Sequence, residues 1–270
     1  MSGVKRASPG AHNEKDSLQN AELSDADAQK LQEVQKDIAR VELVLERRAQ
    51  KELTPVYAKR RSVAKSIPRY WPIALMNHNI LSFHAQHNAD RQALSYLEDV
   101  WIERDPKESR CYTIELHFKT NPYFADTVLK KEYKYLPPPA AADEKPDADG
   151  IIPSMFDFSW ERDVEPSSMK IQWKDPENAL TKLHPRVEDE DGDDIPADAG
   201  SFFNFFEIAS DPFDIANVIA NEVFPEATDY FLGNMGGDEI DSDEEDSEDD
   251  DDDAEEIDLE KPRAKKQKKN

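Results

Sequence analysis

Cysteine is almost missing from this chain: Cys111 is the only one in 270 residues. No disulfide can form within one copy, which suits a reducing compartment. Glycine is scarce too, with 8 residues, all in the two ends or in segments that read as loops, so none builds a phosphate-cradling turn. No run approaches the ~18 consecutive apolar residues of a membrane helix, and residues 1–20 have no apolar stretch of the kind a secretory signal needs. Metal and calcium patterns are incomplete. His84 and His87 have i,i+3 spacing but no third ligand nearby. Asp189-Glu190-Asp191-Gly192 hints at a calcium loop, but aligning Gly192 to the loop glycine puts Val187 at the first ligand position. Nothing around Cys111 suggests an activated nucleophile. These absences predict a non-catalytic protein with no cofactor, no metal and no membrane partner.

What the chain has is negative charge, and its placement is informative. The formal net charge is −25, from 59 acidic and 34 basic side chains, while hydrophobic residues make up 37%. That apolar share is low for a globular chain and too high for complete disorder. Residues 68–237 carry a net −17 and residues 238–270 a net −11, whereas residues 1–21 and 22–67 are slightly basic. The aromatic-rich middle is therefore acidic independently of the tail. Such a surface attracts cationic partners and repels nucleic acid, although acidity also serves solubility alone. Sequence-specific nucleic-acid binding is not expected.

Residues 1–21 read as a disordered N-terminus. A helix signal starts at Ser24, a good N-cap followed by Asp25 and Asp27 near the positive end of the helix dipole. Apolar or small residues then recur at Leu31, Val34, Ile38, Val41, Leu45, Ala49, Leu53, Val56, Val63 and Ile67, with Arg60 filling one step. The mean step is about 3.6 residues, the period of a straight α-helix rather than of a left-handed coiled coil. The spacing predicts one element over 22–67, kinked or divided at Pro55 and closed by Ile67-Pro68. A helix folded back into a bundle would need a second long helical pattern, and none is present. Leu31, Val34, Ile38, Val41, Leu45, Ala49, Leu53 and Val56 are therefore expected to meet the same helix of a second copy.

After Pro68 the pattern predicts one α+β domain over 68–237: an antiparallel sheet with helices on one face. Short helices are expected around residues 70–76 and 80–85, and a third capped by Asp90. Strands are expected at 100–103, at 112–118, where Tyr112, Ile114, Leu116 and Phe118 alternate with polar residues, and around 131–135. The alternations Phe156/Phe158/Trp160 and Met169/Ile171/Trp173 predict two further strands. Residues 137–150 and 175–200 read as flexible insertions. Helical signals return at 201–208 and 211–223, with Asp211 as N-cap and Pro212 at the first helical position. Residues 238–270 read as a disordered acidic tail ending in the basic cluster Lys261, Arg263, Lys265, Lys266, Lys268 and Lys269. That cluster predicts nuclear import, with shuttling through the cytoplasm left open; a solvated basic end is the plainer alternative. Ser242 and Ser247 precede acidic residues and suit an acid-directed kinase.

Several segments carry a resemblance. They are Lys65-Ser66-Ile67-Pro68-Arg69-Tyr70-Trp71, Met76-Asn77-His78, Leu94-Ser95-Tyr96-Leu97-Glu98-Asp99-Val100, Phe118-Lys119-Thr120-Asn121-Pro122-Tyr123-Phe124, Leu129-Lys130-Lys131-Glu132, Ile171-Gln172-Trp173-Lys174 and Ser201-Phe202-Phe203-Asn204-Phe205-Phe206. In this order, with an acidic tract after them, they resemble the nucleosome assembly protein family, most closely its SET branch (template-activating factor I), as a fungal-like member. The resemblance implies a headphone-shaped homodimer in which paired long helices join two "earmuff" domains. It implies a histone chaperone that binds either or both core histone pairs and promotes nucleosome assembly and disassembly. For some fungal relatives it also implies escort of histones to an acetyltransferase. A non-catalytic scaffold of a chromatin enzyme, as acetyltransferase cofactor or phosphatase inhibitor, is the competing expectation. The chain departs from the short metazoan pattern by its insertion at 137–168.

The expected histone-binding residues are Glu188, Asp189, Glu190, Asp191, Asp193 and Asp194 in the acidic loop, with Glu207, Asp211, Asp214 and Glu222 on the last helices. The resemblance points to the same region and adds Asn204. Phe202, Phe203, Phe205 and Phe206 are expected in the core. Many exposed carboxylates, each weak alone, would give the salt-sensitive, reversible attraction that shielding a cationic histone requires.

Overall fold

A computed structural model of the chain describes residues 24–187 and 198–236; the tail, the import cluster, Ser242 and Ser247 lie outside them. The chain opens with α1 (Asp25–Ala64), capped by the Ser24 side chain, which accepts from the Asp27 N–H. Pro55 neither ends nor divides α1, contrary to one of the two expectations. Beside it the Thr54 hydroxyl donates to the Gln50 carbonyl, 2.7 Å away. The helix ends three residues short of Ile67, before Arg69 turns into the left-handed region at φ 60°.

All eight apolar stripe residues up to Val56 are exposed, the seven large ones from 37% at Leu53 to 60% at Leu45. The opposite side of the helix has a cover of its own. There Leu43 is buried against Ile151 and Met155, and Arg40 pairs with Asp147 (2.7 Å) and Asp149 (2.5 Å). Arg47 donates to the carbonyls of Gly150 and Lys107. Residues 137–158, whose first part, 137–150, reads as flexible, thus form a strap with helical turns at Pro139–Ala142 and Pro153–Asp157. Its partners lie about a hundred residues away in sequence, which is why composition alone misread it.

Three short helices follow, α2 (Tyr70–Met76), α3 (Asn79–His84) and α4 (Asn88–Leu94). The antiparallel sheet then runs β1 (Leu97–Arg104), β2 (Tyr112–Phe118), β3 (Val128–Tyr135) and, after α5 (Trp160–Asp163), β4 (Val164–Pro166), in the order β1-β2-β3-β4. In β2 the expected alternation holds: Tyr112, Ile114, Leu116 and Phe118 are buried, while Thr113, Glu115 and His117 are half-buried. The two further strands expected at 156–160 and 169–173 are absent. Phe156 and Trp160 sit in helical turns, and Trp173 makes one isolated bridge to Phe124. Aromatics two residues apart reach one core from an irregular segment just as they do from a strand.

The rest of the domain is α6 (Leu180–Leu183), α7 (Asn204–Glu207), α8 (Ile215–Asn217) continued by a π-helical turn (Val218–Val223), and α9 (Ala227–Leu232). Their apolar side chains join those of α2, α4 and β1–β3 in one core. Phe202, Phe203, Phe205 and Phe206 are buried there as expected, with Phe203 against Phe124 at 5.6 Å and against Trp173 at 5.8 Å.

One buried cation stands out. Lys131 on β3 is fully buried, and its Nζ donates to the carbonyls of Ser167 (3.2 Å), Ile208 (2.7 Å) and Ala209 (2.9 Å). Burial pulls its ammonium down to about 8. Between that value and the ordinary lysine value the unfolded chain holds a proton that the folded chain has released, so this group adds stability as pH rises through the window. Lys131→Met is expected to remove that rise and to destabilise the protein by about 2–4 kcal/mol through three orphaned carbonyls. Urea unfolding of both proteins between about pH 7.5 and 10 checks this; parallel stability–pH curves would contradict it.

Candidate functional site

Two surfaces carry the expected function, and the first is the stripe on α1. Its residues present an apolar face that nothing among the described residues covers, while the strap covers the face behind it. A single copy therefore leaves the stripe in water along most of a helix about 60 Å long.

The second surface lies around the acidic loop. Glu188, Asp189, Glu190, Asp191, Asp193 and Asp194 are outside the described residues, but the base of their loop is fixed. Val187 and Asp198 exchange backbone hydrogen bonds at 2.9 and 3.2 Å. Gly200 then turns at φ 66°, where a Cβ would collide with the His184 and Pro185 carbonyls. Asn204, expected as a contact residue, is buried, and its amide donates to the His184 carbonyl at 3.0 Å. In this chain it holds the loop base.

Glu207 and Asp211 are likewise turned to internal work. Glu207 Oε1 accepts from the Ile171 N–H (3.1 Å) and the Trp173 indole (3.2 Å), which ties residues 171–173 to α7. Asp211 accepts from the Tyr133 hydroxyl and from the N–H groups of Ile215 and Ala216. The N-cap position is Asp214, not Asp211 as the sequence suggests, and Asp211 caps α8 from three residues before it. The two expected acids that remain outward are Asp214 and Glu222. Asp214 sits at φ 55°, and burial of its carboxyl, then the nearby charges of Asp211 and Glu222, raise its pKa. Glu222 pairs with His78 Nε2 at 3.1 Å and keeps about half of its side chain in water.

Asp90 is not the N-cap of α4; that position is His87. Asp90 is buried, and its carboxylate accepts from Ser201 Oγ (2.7 Å) and the Phe202 N–H (2.9 Å). An aspartate before a helix suggests a local cap, whereas its partners are more than a hundred residues away. The histidines have packing roles: His84 lies on Phe213 at 4.4 Å, and His87 stacks on His184 at 3.8 Å. No group of three or more metal-binding side chains occurs among the described residues. Cys111 is buried and its thiol is pushed up to about 12, so it is a poor nucleophile. No described helix is long and apolar enough to cross a membrane.

Comparison with known proteins agrees with this architecture. The family model described as "Nucleosome assembly protein (NAP)" matches residues 14–234. NAP1-related protein 1 of Oryza sativa subsp. indica is 28% identical over 217 residues, covering 75% of this chain and 73% of its own length. Among solved structures, a Ccp1 mutant superposes with a TM-score of 0.58 at 21% identity, over 78% of this chain and 97% of its own. Vps75 does so with a TM-score of 0.52 at 16% identity, over 76% and 96%. At these identities the structural likenesses speak for the fold.

Proposed function

The chain belongs to the nucleosome assembly protein family, and from that premise we propose that it works as a non-catalytic histone chaperone in the form of a homodimer. The observation that carries the dimer is the uncovered stripe on α1. No described element of the same chain shields it, and the matching face of a second copy is the simplest cover. Within the family, the order of segments from Lys65-Ser66-Ile67-Pro68 to Ser201-Phe202-Phe203 supports an assignment to the SET branch. Nuclear residence through the terminal basic cluster is part of the same reading.

Histones are cationic and collapse onto DNA in trapped forms. A domain with net −17 over residues 68–237 offers a screened, reversible alternative surface, because exposed carboxylates attract at long range and release as partners compete. The acidic loop, whose base is held by Asn204 and the Val187–Asp198 pairing, presents the densest charge of that domain by sequence. Asp214 and Glu222 extend it. Asn204, Glu207 and Asp211 support this surface from inside. The tail adds a diffuse second contact, so removing residues 238–270 should tune affinity without abolishing it. Delivery of histones to an acetyltransferase would use the same surface.

The test is charge neutralisation. Replacing Glu188, Asp189, Glu190, Asp191, Asp193, Asp194 and Asp214 by their amides, with Glu207 and Asp211 left in place, should weaken binding of core histones by at least about tenfold at physiological salt. Fluorescence titration against both core histone pairs reads it out. Unchanged affinity would move the assignment to a scaffold of a chromatin enzyme.

A further inference from the structure

The two edges of the sheet are finished differently. β4 is three residues long and ends at Pro166, which has no N–H to offer. Short strands and prolines are common ways of closing an edge against further pairing. β1, at the other edge, is eight residues long, and from Asp99 to Arg104 it carries neither proline nor lysine. Its one irregularity lies between Leu97 and Asp99. Past that point the register fixes which way each backbone group faces. The Asp105 N–H donates to the Cys111 carbonyl. By alternation Trp101 and Glu103 bond to β2, while Ile102 and Arg104 turn their N–H and C=O groups away from it. Among the described residues no partner for those outward groups appears.

A hollow of about 240 Å³ opens beside this edge, with Trp101 to Arg104 as one wall. Gln50, Thr54 and Tyr57 line it from α1, and Ala220, Phe224 and Pro225 line it from the π-helical turn and the residues after it. Tyr57 meets Phe224 at 5.0 Å, and Arg60 donates to the Pro225 carbonyl at 2.8 Å, so these two walls are joined. The volume falls below the ~300–1,000 Å³ usual for a small-molecule site. Its charged lining is Glu103 and Arg104, one of each sign. Arg104 is already engaged by the Ser109 and Ala220 carbonyls and by the Asn221 side chain. None of the stripe residues of α1 lines the hollow, so the proposed dimer does not use it.

We propose that β1 is a docking edge, on which an extended, uncharged segment of a non-histone partner adds as a fifth strand. Outward backbone donors and acceptors select an extended main chain, and the hollow beside them gives its side chains a place to pack. The balanced charge of the lining offers no hold to a strongly cationic segment. A second copy would bring its own α1 and π-helical turn to the same edge, and these would collide with the first copy's before two sheets could pair. A lone strand needs only the ~4.8 Å spacing of a ladder. The site shares no residue with the acidic surface, so a partner held there leaves that surface open to cargo.

The test uses the full-length protein and Thr54→Trp, which fills the hollow from the exposed side of α1 and leaves the β1–β2 ladder intact. A phage-displayed library of random peptides about 12 residues long, enough for one strand and its flanks, is panned on the wild type. Synthetic copies of the enriched peptides are titrated by anisotropy at about 0.15 M and about 0.5 M salt. They should be uncharged and free of proline over the strand, and bind within about twofold alike at both salt concentrations. Thr54→Trp should weaken them at least about tenfold, with an unchanged melting temperature and unchanged binding of core histone pairs. With peptide bound to the wild type, amide exchange at Ile102 and Arg104 should slow, while Trp101 and Glu103, already bonded to β2, should not change. A library that yields no peptide preferring wild type to Thr54→Trp overturns the docking edge, as does a bound peptide that leaves Ile102 and Arg104 exchanging as before. Slow exchange at both amides without peptide would mean that the edge is already paired, and overturns it too. Enriched peptides rich in lysine and arginine that salt releases, or loss of histone binding in Thr54→Trp, would assign the edge to histones and overturn the non-histone occupant.

Discussion

Val34→Asp combined with Ile38→Asp is expected to turn the proposed dimer into a monomer, read by multi-angle light scattering beside the wild-type chain. Each copy contributes eight residues to the stripe, and burying a large aliphatic side chain contributes about 1.5–3 kcal/mol. The double substitution removes four such side chains per dimer and replaces them with four carboxylates, each costing several kcal/mol to desolvate without a counter-charge. That total exceeds the roughly 8–12 kcal/mol that holds a micromolar to nanomolar complex. Both positions are already about half exposed in one copy, Val34 at 52% and Ile38 at 53%, so the folded domain should persist. Far-UV circular dichroism should therefore change little. A dimer that survives both charges would remove the stripe as the interface.

The second large effect concerns Asp90. Asp90→Ala is expected to destabilise the domain by about 3–4 kcal/mol, because it strands the Ser201 hydroxyl and the Phe202 N–H in the core without an acceptor. Those two bonds fasten α4 to the segment that leads into α7. Asp90→Asn keeps an oxygen for the Phe202 N–H and an amide that can donate to Ser201 Oγ, so its cost should be about 1 kcal/mol. Burial raises the Asp90 pKa. Between the ordinary aspartate value and the raised one the folded chain holds a proton that the unfolded chain has lost, so stability falls as pH rises through that window. That fall should vanish in Asp90→Asn. Urea unfolding midpoints across the acid range check both statements, and an alanine variant as stable as wild type would remove Asp90 as the fastener.

What could be read from the chain and what could not divide by distance along it. The 3.6-residue stripe from Leu31 to Val56 and the alternation of Tyr112, Ile114, Leu116 and Phe118 are local patterns, set by the pitch of a helix and the pleat of a strand, and both are present as read. The four phenylalanines of 202–206 are legible as core, and are buried there, because so dense an aromatic run has little else to do in water. The surroundings that local pattern does not give share the opposite property. Asp90, Asn204, Glu207 and Asp211 look like surface acids or amides until their partners arrive from other segments, such as Tyr133 for Asp211 and His184 for Asn204. The strap at 137–158 has the proline and alanine content of a linker, and Arg40 and Arg47 order it from across the fold.

The strap has a mechanical meaning. It grips α1 at Arg40, Leu43 and Arg47, close to the middle of the stripe that ends at Leu31 and Val56. A beam held only at its root sags steeply with its free length, and a prop at mid-span takes most of that compliance away. The insertion thus stiffens the arm that would set the gap between the two α+β domains of the proposed dimer. Changing the strap would change the gauge of that gap, and with it the size of cargo the pair can straddle, without altering a residue that touches the cargo.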